Sequence, residues 1–212
     1  METKTELLLE NCYHIYNHAN GEDNLFRNDE NYRYFLGKYK EYLSGIFETY
    51  AYCLMPNHFH LLIKIQNMET ICNYYQQHKK IDISQDANKA QIVDKFVIQQ
   101  LSNFFNAYAK AYNKQYKRRG AVFCGNFKRK CVNDTDYFAN LLRYIHRNPI
   151  KHGFVDDILD WKYSSFQNYV LEKAGGLNIQ EGLNLFANIE EFKQFHSAKG
   201  GNINRTLDVD DF

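Results

Sequence analysis

Apolar and polar positions are patterned most clearly around Tyr50-Ala51-Tyr52-Cys53-Leu54 and Phe59-His60-Leu61-Leu62-Ile63. Two strands joined at Met55-Pro56-Asn57 are expected there, the second opening with His58 and His60. A strand sends residues i and i+2 to one face, so the two imidazoles leave the sheet side by side. Phe59 and Leu61 take the opposite face, towards a core, and a slip of one residue would exchange the two sets. Upstream, Cys12-Tyr13-His14-Ile15-Tyr16 is rich in strand formers and predicts a first strand. The polar run 17–23 is a loop. Asn28 or Asp29 then caps a helix reaching about Leu43, with Tyr32, Phe35, Leu36, Tyr39 and Leu43 at helical spacing, and Ser44-Gly45 ends it.

The second half reads more loosely. A short helix over 68–78, a loop over 79–90 and one long helix over 91–116 are expected, the last with an apolar stripe from Val93 to Tyr112. Gly120 and Gly125 break the chain around two short strands, 121–123 and 127–132, the second at a sheet edge. Asp134-Thr135-Asp136 caps a helix over 137–148 that Pro149 should stop. Near the end a helix over 188–197 places Phe192 and Phe195 on one face, and the acidic Asp208-Val209-Asp210-Asp211-Phe212 reads as a frayed tail.

With 44% hydrophobic and 16% aromatic residues, the 212-residue chain is globular and long enough for one domain with additions. No apolar run reaches membrane-spanning length, and the few residues around Leu7-Leu8-Leu9 are too short for a signal peptide, so a cytoplasmic location and no membrane partner are expected. Five cysteines without CxxC spacing exclude a zinc ribbon or a disulfide framework, and burial is expected for most of them. Net charge is only +1, but its distribution is uneven. Lys117, Arg118, Arg119, Lys128, Arg129 and Lys130 belong to a stretch with no acidic residue, interleaved with Tyr112, Tyr116, Phe123 and Phe127. Concentrated charge beside aromatic rings suits a single-stranded backbone with stacked bases. A solvated turn flanked by core aromatics is the alternative.

Paired imidazoles on one strand face can hold a divalent cation, although such a pair also occurs as ordinary sheet residues. The text around them, an apolar strand, Met-Pro-Asn, His-apolar-His and another apolar strand, resembles the HUH signature of single-tyrosine transposases of the insertion-sequence 200 type. The branch associated with repetitive extragenic palindromes is the nearest likeness. A second stretch, Tyr144-Ile145-His146-Arg147-Asn148-Pro149-Ile150-Lys151-His152-Gly153, resembles the end of that branch's nucleophile helix, and Trp161-Lys162-Tyr163-Ser164-Ser165 resembles its Trp-x-x-Ser-Ser element.

By that resemblance Tyr144 is the nucleophile, and His58, His60 and Asn148 hold Mg2+ or Mn2+. Tyr144 and Asn148 are i and i+4, so one helix face carries both. Arg147 and Lys151 join the basic stretch as DNA contacts, and His146 and His152 are expected at phosphate or backbone. Tyr108 and Tyr112 are reserve nucleophiles, and His18, which could approach a metal site, is read as a surface loop residue. The resemblance also implies a ferredoxin-like α+β fold, an antiparallel sheet with helices on one face plus a C-terminal helical extension. The catalytic domain would span 1–170 and the extension 171–212. The implied function is metal-dependent cleavage and strand transfer on single-stranded hairpin DNA, by a monomer or a homodimer. Two rivals stand beside it: a hairpin-binding descendant that no longer cuts, and a metal-dependent hydrolase that uses water and ignores Tyr144.

Overall fold

The computed structural model describes residues 6–198; the acidic C-terminal run and residues 1–5 lie outside it. Four strands form one antiparallel sheet in the order β2-β3-β1-β4: β1 Cys12–His18, β2 Phe47–Leu54, β3 His58–Ile65 and β4 Lys128–Val132. Between β1 and β2 lies α1, Asp29–Leu43, and between β3 and β4 lie α2, Met68–Lys79, and α3, Lys89–Gln115. After the sheet come α4, Thr135–Lys151, and three short helices, α5 Phe166–Val170, α6 Ile179–Leu183 and α7 Ile189–Ser197. Strand, helix, strand, strand, two helices, strand is the expected ferredoxin-like α+β arrangement. Helices cover both faces of the sheet and not one, however, because α4 and the C-terminal helices pack against the side opposite α1 and α3.

Local chemistry sets the ends. The Asn28 side chain accepts from the Asn31 amide at the start of α1, and Asp134 does the same for Tyr137 at the start of α4. The segment 121–123 makes only an isolated bridge, Ala19 to Phe123, instead of the expected strand, because Gly120 and Gly125 both take positive φ and limit it. Pro149 does not stop α4, which continues to Lys151. Its missing N–H falls in the last turn, and the turn is closed around it by His152 N–H to Asn148 O, 3.1 Å, and Phe154 N–H to Pro149 O, 2.9 Å. Gly153, at φ +69°, then turns the chain.

Each face of the sheet has its own core. Ile15, Phe59, Leu61 and Ile63 pack with Phe35 of α1 and Leu101, Phe104 and Tyr108 of α3. The other face, with Ala51, Cys53 and Leu62, takes Leu141, Leu142 and Ile145 of α4 together with Tyr169, Ile179 and Phe192 of the C-terminal helices. The Trp-x-x-Ser-Ser segment seals the free edge of β2: Trp161 Nε1 donates to Leu54 O at 3.1 Å and Ser165 N to Tyr52 O at 3.0 Å. All five cysteines are free; Cys53 and Cys72 are buried, Cys12 and Cys131 half-buried and Cys124 exposed, so fewer are core residues than the pattern suggested. No helix among the described residues is long and apolar enough to cross a membrane.

A buried relay ties α4 to its surroundings. His196 Nδ1 lies 2.8 Å from Phe192 O, His146 Nδ1 lies 3.0 Å from His196 Nε2, and His146 Nε2 lies 2.8 Å from Ser165 Oγ. A carbonyl only accepts, so His196 donates from Nδ1, accepts at Nε2 from His146, and leaves His146 Nε2 to accept from Ser165. His146 is therefore a core residue and not the phosphate contact expected. Burial pushes the His196 imidazole down to about 3, with Arg143 and Arg147 adding to the effect and the Phe192 carbonyl opposing it. The unfolded chain, with His196 near 6.5, then binds more protons than the folded one between pH 6.5 and 3. This contribution to stability is complete above pH 6.5 and disappears as pH falls towards 3. Each tenfold in proton affinity is worth ~1.4 kcal/mol, so urea melts across this window should show a loss of a few kcal/mol. A His196→Phe variant should show a shallower pH dependence, and an unchanged slope would exclude His196 as the source.

Candidate active site

The β2–β3 turn sets the first histidine. Met55 N donates to His58 O at 2.8 Å, and the turn is held from outside by Phe26 N to Pro56 O, 2.9 Å, and Ala19 N to Asn57 O, 2.7 Å. The start of β3 is thereby fixed in register against β1, where Tyr16 faces His60 and His18 faces His58. Opposed residues share a face. On this face β1 therefore presents His14, Tyr16 and His18, β3 presents His58 and His60, and β4 presents Lys128, opposite Tyr16, and Lys130, opposite His14.

Over that face runs α4. Its Tyr144 ring packs edge-on against His60, centroids 5.4 Å apart, and 6.3 Å from His14. One turn later Asn148 Oδ1 lies 2.7 Å from His58 Nε2. The sequence-predicted set, His58, His60, Tyr144 and Asn148, is thus assembled in one place by two elements far apart in the chain. An open strand face is expected from the pattern alone, yet His58 and His60 are 2% and 1% exposed, Tyr144 6% and Asn148 fully buried, because α4 covers them.

Burial makes these imidazoles neutral. It pushes His58 down to about 4, with His152, His18 and Lys151 adding to it and Asn148 opposing, and it carries His60 well below its usual range, helped by His14 and His58. Neutral imidazole is the form that ligates metals. Among the described residues no group of three or more His, Cys, Asp or Glu is placed to hold a metal ion. A cation here would draw on the amide oxygen of Asn148 beside the two histidines. That donor set fits. Asn57 Oδ1, 2.8 Å from His58 Nδ1, can accept the imidazole proton there, which leaves a lone pair at Nε2 facing the Asn148 oxygen. A proton on Nε2 or a cation bound there satisfies the Asn148 oxygen equally, and among the described residues Asn148 Nδ2 is buried without a hydrogen-bond partner.

The basic residues divide into groups. Lys128 and Lys130 lie on the histidine face, Lys128 with Nζ 5.9 Å from the Tyr16 ring centroid, whereas Arg129 alternates to the other face beside Phe127. Lys151 stands over the Tyr144 ring, Nζ 5.2 Å from its centroid. Arg147 donates to His196 O at 2.6 Å, so it also fastens α7. Arg118 is engaged by Asp23 at 3.2 Å and by Ala121 O at 3.1 Å, and Lys117 and Arg119 are exposed beside it. Tyr108 and Tyr112 are buried in the opposite core and donate their hydroxyls to Leu25 O and Asn24 O, which removes them as reserve nucleophiles.

Three residues near the site were misjudged by the sequence reading, and the first is His18, which is no loop residue but the end of β1, opposite His58. His14, fully buried, lies with Nε2 3.0 Å from His60 Nδ1. His152, with its ring 4.9 Å from that of His58, was assigned to phosphate or backbone instead. The alternation Cys12, His14, Tyr16, His18 carried the signal for His14, once β1 is known to pair with β3.

No family model matches the chain. A Haemophilus influenzae protein named as a candidate REP-associated tyrosine transposase is 32% identical over 124 residues, 58% of this chain. The match spans 61% of that relative's own length. A solved structure of a REP-associated tyrosine transposase bound to a REP hairpin superposes with a TM-score of 0.54, covering 84% of this chain and 89% of the other at 18% identity. In sequence the chain is similar over 124 residues to that named REP-associated tyrosine transposase, and it shares the fold of the solved one.

Proposed function

We propose that the chain is a cytoplasmic, single-tyrosine transposase that binds hairpin DNA and cleaves the adjoining single strand through Tyr144. The observation that carries this reading is the meeting of Tyr144 and Asn148, from one face of α4, with His58 and His60 of β3. The Tyr144 oxygen attacks phosphorus and forms a P–O bond while the bond from phosphorus to the 3′ oxygen breaks. The leaving oxygen takes a proton, the phenol gives one up, and the products are a 5′-phosphotyrosine and a free 3′-hydroxyl. The ester keeps the energy of the broken bond, so a second strand can be joined without ATP. A Mg2+ or Mn2+ ion held by His58, His60 and Asn148 would supply neutralisation of the scissile phosphate. Lys151, over the Tyr144 ring, stabilises negative charge as it develops on the phenol oxygen.

The covered state has a consequence for access. With the reacting groups nearly excluded from solvent, a phosphate reaches them only after a local opening between β3 and α4. The same burial favours, as second reading, a hairpin binder that no longer cuts. A denaturing gel separates the two: purified protein, Mn2+ and labelled hairpin oligonucleotides with single-stranded flanks should give a DNA band shifted by the mass of the chain. Its absence with every hairpin that is bound would leave the binder.

Lys128 and Lys130 flank the site on the β4 edge and suit the phosphates of the flanking strand. A Lys128→Gln/Lys130→Gln variant should bind more weakly to all sequences alike. The slope of log affinity against log salt should fall by about 1.4, roughly 0.7 per phosphate contact on single strands. An unchanged slope would move the strand's path elsewhere.

A further inference from the structure

Both histidines of the pair have their Nδ1 against a neighbouring side chain. Asn57 Oδ1 lies 2.8 Å from Nδ1 of His58, and His14 Nε2 lies 3.0 Å from Nδ1 of His60. Asn57 belongs to the β2–β3 turn, and His14 reaches across from β1, its ring stacked on that of His60 at 5.1 Å and 25°. We propose that Asn57 and His14 are positioning residues that hold His58 and His60 as Nδ1–H tautomers, so that both imidazoles turn an Nε2 lone pair to the cation. This rests on the metal-dependent reading above.

For His58 both ring nitrogens face an amide oxygen, Asn57 Oδ1 at Nδ1 and Asn148 Oδ1 at Nε2, and a neutral imidazole donates to only one of them. When a cation takes Nε2, Asn57 is the acceptor that receives the proton at Nδ1. For His60 one proton must lie between the two facing nitrogens, and it has two homes. On His14 Nε2 it would force the His60 proton onto Nε2 and block ligation there. On His60 Nδ1 it frees Nε2 and moves the His14 proton to its Nδ1, a buried atom without a hydrogen-bond partner among the described residues. The choice is between tautomers at constant charge. His14 can take either form, so it accepts from His60 whenever His60 Nε2 binds a cation. A ligating imidazole whose other nitrogen donates to an acceptor is oriented and made more basic, and losing that acceptor typically costs ten- to a hundredfold in metal affinity.

The test uses the purified chain without DNA. Mn2+ affinity is measured by electron paramagnetic resonance for the wild type and for His14→Phe, His14→Gln, Asn57→Ala and Asn57→Asp. His14→Phe and Asn57→Ala should bind Mn2+ about ten- to a hundredfold more weakly. His14→Gln and Asn57→Asp, which keep an acceptor oxygen, should recover most of the loss. Equal affinity in all five proteins overturns the inference while leaving the metal reading intact; no binding by the wild type overturns both. Should a variant fold poorly, nitrogen-15 imidazole spectra of the wild type with Mg2+ decide independently. His58 and His60 should both be protonated at Nδ1, and a proton on His60 Nε2 would sink the proposal.

Discussion

A Tyr144→Phe variant is expected to bind hairpin DNA as tightly as the wild type and to form no covalent adduct. The change removes one oxygen from a ring that packs against His60, 5.4 Å between centroids, and leaves the rest of α4 untouched. The fold should therefore hold, with thermal melting within a few degrees of the parent. Loss of a nucleophile that acts in concert with its site costs on the order of 10⁴-fold or more, so the shifted band should vanish from a denaturing gel. The same variant discriminates among the three readings. A hydrolase that uses water would go on cutting without forming an adduct, and a pure binder would show no cleavage in either protein. Residual cleavage at the parental rate would remove Tyr144 from the mechanism.

The parts of this site that could be read from the sequence are those set by local chemistry. The capped starts of α1 and α4, the Pro56-Asn57 turn and the alternation around His58 and His60 each depend on a few neighbouring residues. Tyr144 and Asn148 share a face for the same reason. The parts that escaped depend on pairings between distant segments. His14 joins the site only because β1 lies beside β3, and local alternation does not say which strands are neighbours. His146 looked like a helix-end contact for phosphate, yet its partner is His196, fifty positions on, and its other neighbour is Ser165. Pro149 misled for a different reason: the preference of a pre-proline residue for extended backbone is weaker than the packing that buries Asn148 and Pro149 in the last turn of α4. The basic stretch was legible as composition, but strand alternation divides it, leaving Lys128 and Lys130 on the histidine face and Arg129 on the other.

Replacing His60 by glutamine tests the other half of the site. Gln has similar bulk and can keep a hydrogen bond to His14, so the layer between β3 and α4 stays filled and the protein should remain folded by circular dichroism. What it loses is an imidazole nitrogen suited to Mg2+ or Mn2+. Charge neutralisation of a phosphoryl oxygen by a bound metal is worth several kcal/mol, and each ~1.4 kcal/mol is tenfold in rate. Adduct formation should accordingly fall by roughly a thousandfold, with Mn2+ binding weakened in parallel and hairpin affinity measured in chelator unchanged. Hairpin binding is the control that matters, because the lysines of β4 and the helix ends lie outside the histidine pair. If His60→Gln forms adduct at the parental rate, the pair is not the metal site, and Tyr144 would need another source of charge neutralisation, for which Lys151, 5.2 Å from its ring centroid, is a candidate.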